Sequence, residues 1–461
     1  MPIDSLWPFG GKKKKLSRLQ LKDDASYSSL TKVLIPVAQL RLGMYVTELD
    51  RPWVETSFLF QGFEIKTEDE LRAVKDICNH VYIDTTKKRS TTKDSHNLNV
   101  VPETIKGKKA IQPQNVFASE KPLEFINYGT PPKKLGKFEK EITRAGKAYD
   151  NAEVVVSDFM KNVENGGGID SVLAKNAVSE CVQSILHSPD AMLWLSQLRS
   201  KDAYTAQHSL NVSILSIVLG RHINLPTEDL NKVGLCGMMH DVGKLLIPPE
   251  ILHKTTPLDE EETRTMKTHT RLGYNLLKSS DNMSSSAALV ALTHHEQLDG
   301  KGYPRRMQES GISHFTKIVS IANAYDAMTT DKPFQRGKTH LEATHILTNL
   351  AGTHFDPALV VKFIESIGVY PPGCLVEMTN GSVAMVVEVH EKAKLRPKII
   401  VILDEEKNPI PEKVIDLSSM AKDSHGNVYT IKNIIKAKDW NLDVSKYYRE
   451  GLLQKSFAST R

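Results

Sequence analysis

The residues able to do chemistry are gathered in one stretch. Of the 16 histidines, 11 fall between His208 and His354. His208 lies in an apolar segment, and Met238-Met239-His240-Asp241-Val242-Gly243-Lys244 follows. His269 comes next, then His294-His295-Glu296 just before Asp299-Gly300-Lys301-Gly302-Tyr303-Pro304. Imidazole and carboxylate are costly to bury unpartnered, and a divalent metal satisfies several of them at once. A donor set of nitrogen and oxygen without thiolate suits iron, manganese or zinc. Steps of 32, 29, 25 and 29 residues separate His208, His240, His269, His294 and Asn323, each about one helix plus its loop. Such spacing brings one ligand per helix to a bundle axis. The adjacent pairs His240-Asp241 and His294-His295, about 100° apart around a helix, are predicted to reach a two-metal cluster with Asp241 as a bridge. Two metals about 3.5–4 Å apart support in-line attack on a phosphoryl group by a metal-activated water. Lys244, one turn beyond His240, is either a stabiliser of developing phosphoryl charge or a lysine favoured by a helix C-terminus. There is no GxxxxGK[ST] loop, GxSxG elbow or HExxH motif, and Gly300-Lys301-Gly302 runs straight into Tyr303-Pro304.

The elements that must position these residues are helical. From about Phe138, helices are predicted at Ile142–Val163, Ile169–Leu186, Tyr204–Gly220, Thr227–Leu245, Asp259–Leu277, Ser284–Glu296 and Ile312–Thr329. His269 is expected in mid-helix. Before this region, apolar bursts at Val33–Val37, Leu42–Val46 and Phe58–Phe63, a helix at Glu68–Cys78 and a strand at Val81–Asp84 predict a small α+β unit. After Pro371-Pro372, strands are predicted at Val376–Met378, Ser382–Val389, Pro397–Leu403 and Val428–Ile431, with an Asn380-Gly381 hairpin turn. The expected plan is multidomain: a basic leader (1–30), an α+β N-terminal domain (31–84), a linker (85–137), a mainly α-helical domain (138–368) and a β-rich C-terminal extension (369–461).

Composition sets outer bounds. At 461 residues, with 40% apolar and 25% charged, the chain is that of an ordinary multidomain soluble protein. A net charge of +5 does not argue for binding long nucleic acids. The four cysteines form no CxxC pair, which fits a reducing cytoplasm. No apolar run is long enough to span a membrane, although Trp7, Phe9 and Lys12–Lys15 suit a peripheral lipid contact.

The run His240-Asp241-Val242-Gly243-Lys244…Ile247-Pro248…Lys254, then His269, then His294-His295-Glu296…Asp299-Gly300-Lys301-Gly302-Tyr303-Pro304, resembles the HD-GYP family over about residues 200–345. That family comprises bacterial phosphodiesterases that hydrolyse cyclic di-GMP, a branch of the HD metal-dependent phosphohydrolases. The region from Lys32 also resembles the small N-terminal domain often found before such catalytic domains. The resemblance implies metal ligation by His208, His240, Asp241, His269, His294 and His295, with Asp241 bridging and catalytic beside Lys244. It implies substrate contacts from Lys244, Tyr303, Lys332 and Gln335. Members with a third metal carry Glu where this chain has Tyr204, so two divalent ions are implied, iron or manganese before zinc, nickel or magnesium. Partners implied are a cyclic dinucleotide, signalling proteins such as diguanylate cyclases, and a second copy of the chain in a homodimer. Three departures from the family, at four positions, stand out. Asn323 replaces the aspartate that supplies the last ligand, with Asp326 expected to support the site instead; Lys332 and Gln335 replace a basic pair that clamps substrate; Phe334 replaces Tyr. Those departures motivate an alternative: a catalytically weakened domain that senses the nucleotide or docks a protein.

Overall fold

The computed structural model describes residues 32–49, 63–65, 68–78, 80–84, 136–197, 204–331, 336–390 and 392–440, with 442 and 444. They form two compact units, one within residues 12–114 and one from residue 136 onward. The leader, most of the linker, and the expected strand residues Phe58–Gln61 lie outside the described residues. Among the described residues no helix is long and apolar enough to cross a membrane.

The first unit contains β1 (Lys32–Pro36), β2 (Tyr45–Leu49), β3 (Phe63–Glu64), α1 (Glu68–Ile77) and β4 (His80–Asp84). Its strands pair antiparallel in the order β1-β4-β2-β3. Val81 and Ile83 alternate inward from β4. Leu71, Val74 and Cys78 line one face at α1 to meet them. The strand expected from Leu42 begins only at Tyr45, because the chain first turns through Gly43 at φ +83°.

The second unit begins with α2 (Phe138–Glu164), α3 (Ser171–His187), α4 (Pro189–Ser196), α5 (Tyr204–His222) and α6 (Thr227–Met239). It continues with α7 (Pro249–Leu252), α8 (Glu260–Lys267), α9 (His269–Ser279), α10 (Ser285–Thr293), α11 (His314–Thr329), α12 (His340–Leu350) and α13 (Pro357–Ile367). Helix α5 is central: it is buried all round from Ala206 to Leu219 and packs on α2, α6, α11 and α13. A helix buried on every side belongs in a core, and this one carries His208 there with the polar Gln207, Ser209 and Asn211 beside it.

Three expected helices are shorter than predicted, and each correction falls at a histidine. The helix expected over Thr227–Leu245 stops at Met239; His240 and Asp241 form a turn, and a 3-10 segment covers Val242–Leu246. The helix expected over Asp259–Leu277 breaks at Thr268 into α8 and α9, so His269 opens a helix rather than sitting inside one. The helix expected over Ser284–Glu296 ends at Thr293, with His294 as its cap. The 100° relation between neighbours in a helix therefore does not describe either pair. The site is built from helix ends.

Gly243 explains the first break. A Cβ there would lie 2.0 Å from the His269 carbonyl oxygen and 2.4 Å from the Gly273 nitrogen. Only glycine lets the turn after Asp241 press backbone to backbone against α9, which sets Asp241 beside His269. Gly243→Ala is expected to destabilise the unit by about 3 kcal/mol, as overpacking against immovable backbone does. A thermal melt checks this, and it should be accompanied by weakened metal uptake.

After α13, β5 (Leu375–Met378), β6 (Val383–Glu388), β7 (Lys398–Leu403), β8 (Pro409–Asp416) and β9 (Ile431–Ile435) form an antiparallel sheet ordered β8-β7-β6-β5-β9. Asn380-Gly381 does turn β5 into β6, with Gly381 at φ +93°. The strand expected at Val428–Ile431 is displaced to Ile431–Ile435. This sheet is tied to the helices: Lys398 Nζ lies 2.9 Å from Glu139 Oε1, and Asp190 Oδ2 accepts the Val389 N–H at 3.0 Å. Lys436 Nζ also donates to the Gly337 carbonyl.

Candidate metal centre

Three helix ends and the second turn of α5 converge on Asp241. Its carboxylate is buried, with a different pair of imidazoles at each oxygen. Oδ2 lies 3.1 Å from His240 Nε2 and 3.5 Å from His208 Nε2. Oδ1 lies 3.4 Å from His269 Nε2 and 3.5 Å from His294 Nε2. His295 joins the second set, its ring 4.2 Å from that of His294 and 5.2 Å from that of His269. Two groups of potential metal donors result, Asp241/His269/His294/His295 and His208/His240/Asp241. Asp241 belongs to both.

The outer nitrogens fix how these rings point. His240 Nδ1 lies 2.8 Å from the Gly237 carbonyl, and His269 Nδ1 lies 2.7 Å from that of Met266. His294 Nδ1 lies 3.1 Å from both Val290 and Ala291 carbonyls. A carbonyl only accepts, so in each ring Nδ1 carries the hydrogen and Nε2 presents a bare lone pair inward. His208 Nδ1 is held at 2.7 Å by Asp326 Oδ2, while Asp326 Oδ1 accepts from Asn211 Nδ2 at 3.1 Å. Such outer carboxylates and carbonyls are how proteins orient metal-binding histidines.

The inner atoms fit a cation. His240 Nε2, Asp241 Oδ1 and His295 Nε2 are buried without a hydrogen-bond partner. His269 Nε2 and His294 Nε2 face each other at 3.4 Å, two lone pairs with no hydrogen to share. Buried polar atoms are rarely left so, and a divalent ion answers all of them. Burial lowers His240 to about 4 and His269 to about 3, and pushes His295 well below its ordinary value. At neutral pH these rings are in the neutral form that binds metal. Burial alone would raise the Asp241 carboxyl; His240, Lys244 and His208 outweigh it and hold the group well below the usual carboxylate range.

Lys244 and Tyr303 flank this cluster. Lys244 Nζ donates to Asp241 Oδ2 at 2.6 Å from the 3-10 turn, so it does point back to the centre. The Tyr303 ring stacks on His295 at 4.6 Å and 19°. Burial, reinforced by Asp241, raises the Tyr303 hydroxyl well above its ordinary pKa, so it remains a donor. Its loop is pinned by Glu296, whose Oε1 accepts the Arg305 N–H at 2.6 Å and whose Oε2 accepts that of Met307 at 2.8 Å. Gly302 presses against the same turn, where a Cβ would meet the Gln297 nitrogen at 2.4 Å.

Thus His208, His240, Asp241, His269, His294 and His295 come together as the sequence predicts. Asn323 is half-buried on α11, one turn before Asp326. Lys332, Phe334 and Gln335 lie outside the described residues, as does the side chain of Tyr204. Asn211 and the clamp made by Glu296 were not read from the sequence. Asn211 had one faint signal, its place one turn after His208 on the same helix face.

The chain is similar to known proteins. An HD domain profile matches residues 192–359, and a KOW domain associated with the HD domain matches 375–422. A domain of unknown function (DUF3391) matches 32–173, running through the expected linker into α2. A cyclic di-GMP phosphodiesterase of Pseudomonas aeruginosa is 31% identical over 410 residues, 88% of this chain and 93% of that protein. One of Borreliella burgdorferi is 32% identical over 53% of this chain and 63% of its own length. A 3'3'-cGAMP-specific phosphodiesterase of Vibrio cholerae is 32% identical over 37% of this chain and 32% of that protein. With nearly the whole of the Pseudomonas protein aligned at that identity, the chain belongs to the HD-GYP family of HD-domain metal-dependent phosphohydrolases.

Proposed function

We propose that this protein hydrolyses a phosphodiester bond of a cyclic dinucleotide, cyclic di-GMP or a relative such as cyclic GMP-AMP, and so lowers a second messenger. The observation that carries this reading is Asp241, shared between two histidine groups with their bare nitrogens turned inward. Two divalent ions, iron or manganese before zinc, nickel or magnesium, would be held by His208, His240 and Asp241 on one side and by Asp241, His269, His294 and His295 on the other. Divalent ions supply Lewis acidity toward phosphate and a strongly acidified water for in-line attack. The rest belongs to the chain. Lys244 places an ammonium at Asp241, where charge develops on the phosphoryl oxygens. Tyr303, kept protonated and fixed against His295, offers a hydroxyl donor to the substrate. In this reading residues 138–368 are the catalytic domain of a cytoplasmic enzyme, and residues 31–84 regulate it.

Protein purified anaerobically and loaded with Fe(II) or Mn(II), its metal quantified, is expected to convert cyclic di-GMP to a linear dinucleotide or GMP. No product from a fully metallated sample overturns the reading for that substrate. Asn323, a neutral amide half-buried near Asp326, favours a second reading, a domain that binds the nucleotide without turnover. The same sample distinguishes them, since binding without product is the signature of the second.

A further inference from the structure

We propose that Lys267 is a second phosphate-binding cation of this site, contacting the phosphodiester of the cyclic dinucleotide that is not being cleaved. This rests on the reading of the substrate given above. Lys267 ends α8, two residues before His269, and its Nζ stands 5.1 Å from the centre of the Tyr303 ring. That ring stacks on His295 and meets His269 edge-on at 6.5 Å. The ammonium is therefore one aromatic ring removed from the metal-binding imidazoles. Lysines are favoured at a helix C-terminus by the exposed carbonyls. That preference does not choose a direction, whereas the contact with Tyr303 does.

The charge at Lys267 is also uncommitted. Among the described residues, Lys244 is paired with Asp241, Lys254 with Glu262, Lys301 with Asp299, and Lys317 with Glu309 and Asp356. Lys267 is half-buried, and among the described residues no ion pair engages it. A cyclic dinucleotide carries two phosphodiesters, each singly negative. Asp241 and Lys244 mark the place of one. The other needs a cation set back from that centre, and Lys267, across the ring of Tyr303, meets that requirement.

The test uses the full-length, metal-loaded chain and cyclic di-GMP. Lys267→Met is expected to raise both Kd and KM about tenfold, the size of one charge-assisted contact, with kcat changed by less than about threefold. Lys267→Arg should restore most of the loss. Metal content should match wild type, which separates lost substrate contact from a damaged centre. Lys278→Met is the control: Lys278 lies over Tyr274 at 5.6 Å, about 13 Å further along α9 than His269, and its loss should leave Kd and KM unchanged. Wild type that cleaves with an unchanged KM and Kd in Lys267→Met overturns the role of Lys267 alone. Wild type that binds without cleaving, with Kd still raised in the variant, keeps Lys267 and overturns hydrolysis. Wild type that does not bind overturns both.

Discussion

Asp241→Ala is expected to strip metal from both ligand groups at once and to lower the hydrolysis rate by at least about a thousandfold. The reason is its position: each carboxylate oxygen faces a different pair of imidazoles, so one substitution removes a donor from each group. Removing His208 should be milder, because the set Asp241/His269/His294/His295 stays whole. Elemental analysis of both variants, purified side by side, reads the difference directly. Equal losses of metal would contradict a shared carboxylate, and full metal in the Asp241 variant would remove that residue from the centre. Circular dichroism should show the helices intact in both, since Leu210, Val212 and Ile214 of α5 and Leu230, Val233 and Leu235 of α6 stay buried in either variant.

The second large effect belongs to a residue that is not itself in either donor group. Asp326→Ala should weaken metal binding at the His208 side by about 10- to 100-fold, the usual cost of losing the group that orients a ligating histidine. Asp326 holds His208 Nδ1 at 2.7 Å and also accepts from Asn211 and Thr330. Alanine takes the acceptor away from the buried His208 and Asn211 donors, a cost of about 1–3 kcal/mol each, whereas Thr330 is only half-buried. Asparagine keeps an acceptor for His208 but loses the charge, so Asp326→Asn should fall between wild type and alanine. A chelator competition titration measures the affinity, and a melt separates it from stability. An unchanged affinity in the alanine variant would mean that the His208 ring is oriented by packing alone.

The residues of the candidate metal centre were legible because their chemistry is costly. Histidines beside carboxylates in apolar sequence demand a partner, and that demand survives ignorance of the fold. What the sequence concealed is how the chain presents them. Spacing suggested ligands projecting from helix interiors, whereas His240, His269 and His294 stand at helix ends. At the first of these breaks the cause, backbone contact at Gly243, leaves no periodic trace. Helix α4 was hidden for a different reason: Ala191–Leu195 is buried on every side, so it lacks a polar face to mark a period. Strand β8 opens with Pro409 and carries Glu412 and Lys413, as an edge strand tolerates and a pattern search discounts.

Glu296 has a consequence for how this site can vary. Both of its oxygens are engaged by main-chain N–H groups, those of Arg305 and Met307, so the loop bearing Tyr303 is shaped through its backbone. Its order is established during folding, and substrate arrives at a surface already set. The side chain of Arg306 is exposed at φ +52°, on the outer side of that loop. A substitution there that tolerates the left-handed backbone would leave the tyrosine beneath it in place. Proline is barred from 305 and 307 because each must donate its N–H. The loop thus separates a floor set through its backbone from an exposed outer edge at Arg306.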